Sequence, residues 1–369
     1  MKSIFDKLQV IAVSAVVVLF SVLIFIVPDK SFSENENRSL ETAPTLTAEG
    51  LASGEFTEAL GRYLADQFPL RDGFVSVKAY SELLSGKKEN NGVIFCANDT
   101  LIPRPDIKEN RLYDNLKCIS EFAERTGAVV TVAALPRVAD VFSELLPAGY
   151  PKSIDQDLWK QYNAAAKSVG VNTADTFSVL CDSNSYYRTD HHYTTEGAFR
   201  TYQTLAETLN FKPYDIGYFN VTKVTDSFCG TSMRSSGFYF AKKDEIYLYR
   251  YQSDNEYNIV ADGKEISLYD MDKLDSTDKY AVFLGGNHAR VDVTLEGKNR
   301  EKLIVIRDSF ADSITPFLAL HYDLILIDLR YYTDSVAQCV RDEAVSKVLV
   351  LENISELATA KNLSYLRME

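Results

Sequence analysis

Apolar positions follow two rhythms along this chain. The first is one unbroken run. Leu8 to Val27 (LQVIAVSAVVVLFSVLIFIV) contains no charge, and only Gln9, Ser14 and Ser21 are polar. At about 1.5 Å per residue, a helix of that length spans roughly 30 Å, the hydrocarbon thickness of a bilayer. Lys2 and Lys7 precede it, and positive charge before a first span keeps the amino terminus in the cytoplasm. A cleaved signal peptide needs a shorter apolar core and a small-x-small site. Here PDKSF follows, which favours an uncleaved signal anchor. On either reading, the chain after about residue 30 is expected outside the cytoplasm.

The second rhythm is alternation of strand-length and helix-length segments. Residues 29–50 are polar and read as a tether. Phe56–Phe68 and about Phe74–Leu84 carry helical spacing, separated by FPLRD at Phe68–Asp72. NGVIFCANDTLI predicts a short hairpin, and 105–126 predicts a helix ending at Gly127. Ala128–Leu135 (AVVTVAAL) is a continuous apolar run stopped by Pro136, which suits a strand buried on both faces. A helix follows at about Asp155–Val169, then a weaker strand at Val171–Phe177. Thr195–Leu209 places Ala198, Phe199, Tyr202, Leu205, Ala206 and Leu209 on one helical face.

Residues 212–275 change texture. Tyr-rich alternating segments around an Asp262–Gly263 turn predict inserted antiparallel ribbons. Strands are then expected at Tyr280–Leu284, Lys302–Ile306, Leu324–Asp328 and Lys347–Leu351. Helices are expected from Ser309 to about His321 and near Asp334–Ala344. Such alternation predicts an α/β fold, a parallel sheet covered by helices on both faces. The organisation is therefore a cytoplasmic stub and anchor over 1–28, a tether over 29–50, and an extracytoplasmic domain over 51–369 with ribbons inserted at about 212–275.

Composition narrows the function. Hydrophobic residues make up 46% and charged residues 25%, ordinary globular content that excludes wholesale disorder and a multi-span membrane protein. With 52 acidic and 39 basic residues the formal charge is −13, which repels a phosphate backbone and argues against nucleic acid as a partner. Cys96, Cys118, Cys181, Cys229 and Cys339 form neither a CxxC pair nor a His/Cys cluster, so no zinc module and no cofactor are expected. One disulfide bridge stays open.

Three places put reactive groups at expected strand ends, where open α/β sheets gather their chemistry. Thr189-Asp190-His191-His192-Tyr193-Thr194 holds two of the four histidines. Neighbours on an extended segment diverge, so one histidine faces the site, and an Asp two positions before a His shares its side. Such an Asp accepts Nδ1–H and stabilises the imidazolium. Either histidine fits the role on spacing alone; an Asp–His surface turn is the bland alternative. KLIVIRDSFADS puts Ser309 at a strand-to-helix turn, a position for a hydroxyl nucleophile whose own N–H forms half of an oxyanion hole. Ser is also the ordinary helix N-cap. Gly285-Gly286-Asn287-His288 lets backbone approach a ligand, and Asn287 offers an amide donor to an oxyanion, although a plain loop reads equally well. A metal site of Asp190, one of the paired histidines and Asp308 is a weaker possibility, because ligands at adjacent positions diverge.

Taken together, TDHHYT, FPLRD, NGVIF, GGNH and RDSF resemble the DHHW-motif proteins of bacteria, and through them the alginate O-acetyltransferase branch of SGNH-hydrolase-like proteins. The resemblance runs from about Glu36-Asn37-Arg38 to the final strand. It implies a flavodoxin-like (SGNH-type) three-layer α/β/α sandwich with an antiparallel β insertion, preceded by one transmembrane helix. It implies a Ser-His-Asp triad whose Asp-x-His motif maps onto Asp190 and His192, with Ser309 as nucleophile and Asn287 as oxyanion donor. The implied activity is O-acetyl transfer to, or acetyl ester hydrolysis on, a cell-surface or exported polysaccharide. The implied partners are that polysaccharide and a membrane-bound O-acyltransferase as acyl donor. The alternative is a non-catalytic surface scaffold or glycan-binding protein on a degenerate SGNH fold. Two departures from the pattern matter. The usual SGNH hydrolase spaces Asp and His by three and puts them after Ser, so this chain matches only the rearranged branch. Tyr193 stands where the named motif has Trp. It keeps an aromatic ring but not the indole donor. Tyr247, Tyr249 and Tyr251 on the ribbon are candidates for stacking on sugar rings, against ordinary strand packing.

Overall fold

The computed structural model describes residues 2–33, 35, 38–105, 107, 109–150, 153–251, 256–295, 297 and 300–368; Glu36 and Asn37 of the resemblance lie outside them. The chain divides into two compact units, residues 1–87 with 234–239, and residues 88–233 with 240–369.

The first unit contains helices α1 (Lys2–Ile26), α2 (Ala48–Ser53), α3 (Glu55–Asp66) and α4 (Arg71–Leu84), and a two-residue pair of strands, β1 (Phe32–Ser33) and β2 (Arg38–Ser39). Ile4–Ile26 is long and apolar enough to cross a membrane, with mean hydropathy 2.8 and none of its apolar window buried. Thr47 caps α2 by accepting the Gly50 N–H, and Gly54 ends it at φ 84°, a left-handed value that glycine adopts without strain. Arg38 grips both oxygens of Asp66 at 2.5 and 2.8 Å, tying β2 to the end of α3. Phe238, from the 234–239 segment, is fully buried edge-on to Tyr80.

The second unit is the α/β body. It opens with a small antiparallel sheet of β3 (Glu89–Asn90), β4 (Val93–Phe95) and β5 (Leu101–Pro103). Then come α5 (Leu112–Thr126), β6 (Val129–Leu135), α6 (Val138–Val141), α7 (Ser153–Val169), β7 (Asn172–Thr173), α8 (Phe177–Leu180) and α9 (Thr195–Leu209). β8 (Asn220–Phe228), α10 (Thr231–Ser236) and β9 (Asp244–Arg250) follow, and after them β10 (Tyr257–Ala261), β11 (Lys264–Glu265) and β12 (Arg290–Leu295). The chain closes with β13 (Lys302–Arg307), α11 (Ala311–Leu318), β14 (Asp323–Ile327), α12 (Val336–Asp342), β15 (Lys347–Asn353) and α13 (Ile354–Thr359).

Eight strands form the main sheet in the order β11-β10-β12-β14-β13-β15-β6-β7. β14, β13, β15, β6 and β7 run parallel, as the continuous apolar runs predict. Odd positions of β13, Leu303 and Val305, face α9 and α11 through Phe199, Leu205, Ile314 and Phe317. Even positions, Ile304 and Ile306, face α5 and α12 through Leu116, Ile119, Val336 and Val340. Both faces are thus covered, which is the three-layer sandwich expected; each fully buried Leu, Ile or Phe contributes about 1.5–3 kcal/mol.

Three expectations need correction. The sheet is mixed, because β12 runs antiparallel beside β14 and β10 antiparallel beside β12. Residues 296–301 are too few for a crossover, so β12 must run opposite to β13. Tyr257–Ala261 therefore belongs to this sheet, and only β8 and β9 form a separate ribbon. Tyr280–Leu284 is no strand: Lys279–Val282 is a 3₁₀ turn, since a five-residue apolar run carries no period that separates strand from buried turn. On the ribbon, Tyr249 is buried against Phe199 and Phe317, and Tyr251 packs on Tyr214 and Phe219, so their rings serve the core. Tyr247 alone is exposed, with its hydroxyl donating to Glu245. All five cysteines are free thiols.

Two predictions follow from buried charge. Arg307, wholly buried at the end of β13, donates from Nη1 to the Asp312 carboxylate on α11 at 2.6 Å. Asp312→Ala strands that guanidinium and should cost about 3–5 kcal/mol of unfolding free energy in denaturant titration. His321 lies against Phe211, Tyr202 and Tyr214, and burial with nearby Arg300 pushes its pKa down to about 4 from 6.5. The folded state holds the neutral ring, so its contribution is full above pH 6.5 and is lost as pH falls towards about 4. His321→Gln should flatten the stability profile across that window.

Candidate active site

The site starts where β13 ends. Leu303–Ile306 are held by parallel pairing on both sides, so the residues that follow leave the sheet at its carboxyl edge in a fixed direction. The turn Asp308-Ser309-Phe310 leads into α11. Asp308, not Ser309, satisfies its free donors: Oδ1 accepts the Phe310 N–H at 2.9 Å and Oδ2 the Asn353 N–H at 2.7 Å. Burial pushes this carboxyl up, against the two N–H groups that favour its charge. No side chain caps α11, and the hydroxyl of the half-buried Ser309 meets His192 instead.

The imidazole arrives from a tight loop ahead of α9. Tyr186 bridges Tyr193, the Tyr187 N–H donates to the His192 carbonyl, and the Thr194 N–H donates to the Ser185 carbonyl at 2.8 Å. Arg188–His191 form the tip. Thr194 also caps α9 by accepting the Gly197 N–H. Gly197 has to be glycine here, because a Cβ would stand 2.3 Å from the Ser185 carbonyl oxygen.

This geometry separates the two histidines. His192 is buried, with Nδ1 2.6 Å from Asp190 Oδ1 and Nε2 2.7 Å from Ser309 Oγ. His191 is half-buried, with Nδ1 3.5 Å from Asp190 and its ring tilted against His192 at 4.0 Å. Asp190 also accepts the His192 N–H at 2.9 Å and the Thr231 N–H at 2.7 Å. Burial alone would push the Asp190 carboxyl up; His192, His191 and the Thr231 N–H outweigh it and hold the carboxyl well below the usual range. An ionised Asp190 keeps the proton on Nδ1 and leaves Nε2 as acceptor for the serine proton.

Rings fix the imidazole plane. Tyr280 stacks on His192 at 3.9 Å and 9°, and Phe310 lies at 4.8 Å. The Tyr280 hydroxyl donates to the Ser309 carbonyl at 3.1 Å, so one residue holds both the His192 ring and the Ser309 backbone. Tyr193 is fully buried, edge-on to Phe310, and its hydroxyl donates to the Phe310 carbonyl at 2.7 Å. The donor lost with Trp is thus replaced by a phenol that joins the histidine loop to the serine turn. Tyr280 and Phe310 carry no sequence signal of their own, although Phe310 and Asp308 both flank Ser309 in RDSF.

Asn287 lies apart from this cluster. It is exposed in the loop before β12, whose first pair, Arg290 with Ile327, is at the same carboxyl edge of the sheet. That loop is held by His288, which meets the Leu284 carbonyl at 3.0 Å and Asp262 at 3.2 Å. The bonds of the Asp190–His192–Ser309 chain do not include Asn287.

Residues 94–232 match the family described as SGNH hydrolase-like domain, acetyltransferase AlgX. The match includes Asp190 and His192 and stops before Ser309. The probable alginate O-acetylase AlgJ of Pseudomonas putida is 24% identical over 172 residues, 43% of this chain and 45% of that protein. The chain thus spans less than half the length of the curated relatives it matches. Among solved structures, a DHHW family protein from Eubacterium siraeum has TM-score 0.64 at 18% identity, over 76% of this chain and 96% of that one. Bacillus cereus PatB1, solved with a sulfonyl adduct, has TM-score 0.63 at 18% identity, over 74% and 98%. Over 94–232 the chain thus resembles the SGNH hydrolase-like domain of the acetyltransferases, and its fold is similar to those of a DHHW family protein and PatB1.

Proposed function

We propose that this chain is a membrane-anchored, extracytoplasmic serine O-acetyltransferase that acts on a cell-surface or exported polysaccharide. The observation that carries the reading is the unbroken line Asp190–His192–Ser309, at 2.6 and 2.7 Å, at the carboxyl edge of the parallel strands. The names of the AlgJ relatives, alginate O-acetylases, support acetyl transfer to a polymer. The apolar Ile4–Ile26 helix, preceded by Lys2, supports an anchor with the body outside the cytoplasm.

In this mechanism Ser309 Oγ attacks the acyl carbonyl and passes its proton to His192 Nε2, while Asp190 stabilises the imidazolium. The tetrahedral oxyanion receives the Ser309 N–H, and Asn287 is the second donor if its loop folds over the acyl group. Each such donor is worth about 2.7–4 kcal/mol in the transition state. The imidazolium then protonates the leaving group and an acyl-serine remains. A sugar hydroxyl, losing its proton to His192, attacks that ester and regenerates the serine. Water in place of the sugar would make the same site an acetylesterase. A membrane-bound O-acyltransferase is the partner that would present the acyl group.

Ser309→Ala and His192→Ala should each abolish turnover of p-nitrophenyl acetate, and Asp190→Asn should lower kcat by about 10⁴-fold, since an amide favours the wrong tautomer. Full activity in the serine and histidine variants would end this reading. Asn287→Ala should lower kcat by about 10²–10³-fold with KM unchanged. An unchanged kcat would show that another group provides the second donor.

A further inference from the structure

The chemistry above gives the inserted ribbon no task, yet β9 and the residues that follow β8 both bond to the loop that carries Asp190. β8 and β9 pair antiparallel outside the main sheet, with Asn220 opposite Arg250 and Phe228 opposite Asp244. The Phe228–Asp244 end of this pair abuts the loop tip at Arg188–Asp190.

From β9, the buried Asp244 carboxylate accepts four donors of that tip. Oδ2 takes the Thr189 N–H at 2.7 Å and the Thr189 hydroxyl at 2.6 Å. Oδ1 takes the Arg188 N–H at 3.1 Å and Nε–H at 3.3 Å. From the turn after β8 and the first residues of α10, the Gly230 N–H donates to Thr189 Oγ1 at 3.0 Å, the Thr231 N–H to Asp190 Oδ2 at 2.7 Å, and the Met233 N–H to the Thr189 carbonyl at 3.1 Å. Gly230 comes this close only without a side chain: a Cβ there would lie 2.3 Å from Asp190 Cβ and 2.4 Å from the Thr189 carbonyl oxygen.

Thr189 is therefore pinned at every polar atom it has. Its N–H and hydroxyl point to Asp244, its oxygen lone pair to Gly230 and its carbonyl to Met233. The Asp190 Cα follows directly from that peptide. With Oδ2 held by Thr231, the Asp190 carboxylate has one orientation left, and in it Oδ1 meets His192. Burial makes each bond costly to leave unmade, so loss of Asp244 releases the hydroxyl and two N–H groups together.

We propose that Asp244, acting through Thr189, is a positioning residue for the triad, and that the ribbon serves to hold Asp190 in register with His192. Asp244 touches no reacting atom. The inference rests on the triad reading given under Proposed function. A shift of about 1 Å in a catalytic group can cost about 10²-fold in rate, which sets the scale of the effect.

The full chain and three variants test it. Asp244→Asn puts an amide donor where acceptors are needed, Thr189→Val removes the hydroxyl, and Thr189→Ser keeps it. Two readouts are taken at matched folded fraction: the rate at which a sulfonyl fluoride labels Ser309, across pH, and the nitrogen-15 and proton signals of the His192 Nδ1–H. Asp244→Asn and Thr189→Val should slow labelling by about 10–10²-fold and shift or broaden the Nδ1–H signal, while Thr189→Ser restores both. Should Asp244→Asn fail to fold, the Val and Ser pair at 189 carries the test. Wild-type labelling and an unmoved Nδ1–H signal in Thr189→Val would overturn the proposal. An unlabelled wild type whose Nδ1–H signal still responds to Thr189→Val would overturn the catalytic reading and leave the clamp standing.

Discussion

His192 has to bond in two directions at once, to a carboxylate two residues before it and to a hydroxyl from a distant strand end. An imidazole ring has no freedom to make both bonds unless its plane, its tautomer and its two partners are all fixed beforehand. Much of the α/β body is arranged around that requirement. Tyr280 and Phe310 set the plane, the ionised Asp190 sets the tautomer, and the parallel pairing of β13 sets where the serine turn begins. Each of these groups is buried or nearly so, while the Ser309 hydroxyl keeps partial access to solvent. Burial strengthens the bonds that hold the ring.

The serine turn shows how neighbouring residues divide two jobs. Ser and Asp both cap helices well, and a serine spent on capping cannot act as a nucleophile. Here the Ser309 hydroxyl caps nothing and meets His192, while Asp308 joins the turn's Phe310 N–H to the Asn353 N–H at the end of β15. The same logic runs through Tyr193. A phenol and an indole differ in shape, but each joins an apolar ring to one polar atom, and here that atom reaches the Phe310 carbonyl. The aromatic after the paired histidines thus acts as a strut between the two halves of the site.

The relatives share the fold more than the sequence. Identity with the solved neighbours is near 18%, yet each of them is covered almost entirely. That pattern fits a fold specified by burial rhythm, which many sequences satisfy, and a site specified by a handful of polar atoms, which few do. The family match over 94–232 covers the histidine loop, the clamp at Gly230–Thr231 and none of the serine turn.

Periodic and local features were readable from residues alone. The apolar span, the strand at Val129–Leu135, the helix Thr195–Leu209 and the late strand–helix alternation all follow from hydrophobic spacing, which acts over a few neighbours. The Asp-x-His spacing also put both groups on one side before any fold was known, but which histidine serves, and that it meets Ser309, rested on resemblance. The misses share a cause. Whether Tyr280 lies in a strand or a turn, whether β12 runs with or against its neighbour, and whether Asp244 is a surface acid or a clamp depend on partners far away in sequence. Composition and period decide which residues are buried and in what local shape. Only the packed structure decides which buried polar atoms face each other, because a hydrogen bond is specified by two groups and the chain supplies them independently.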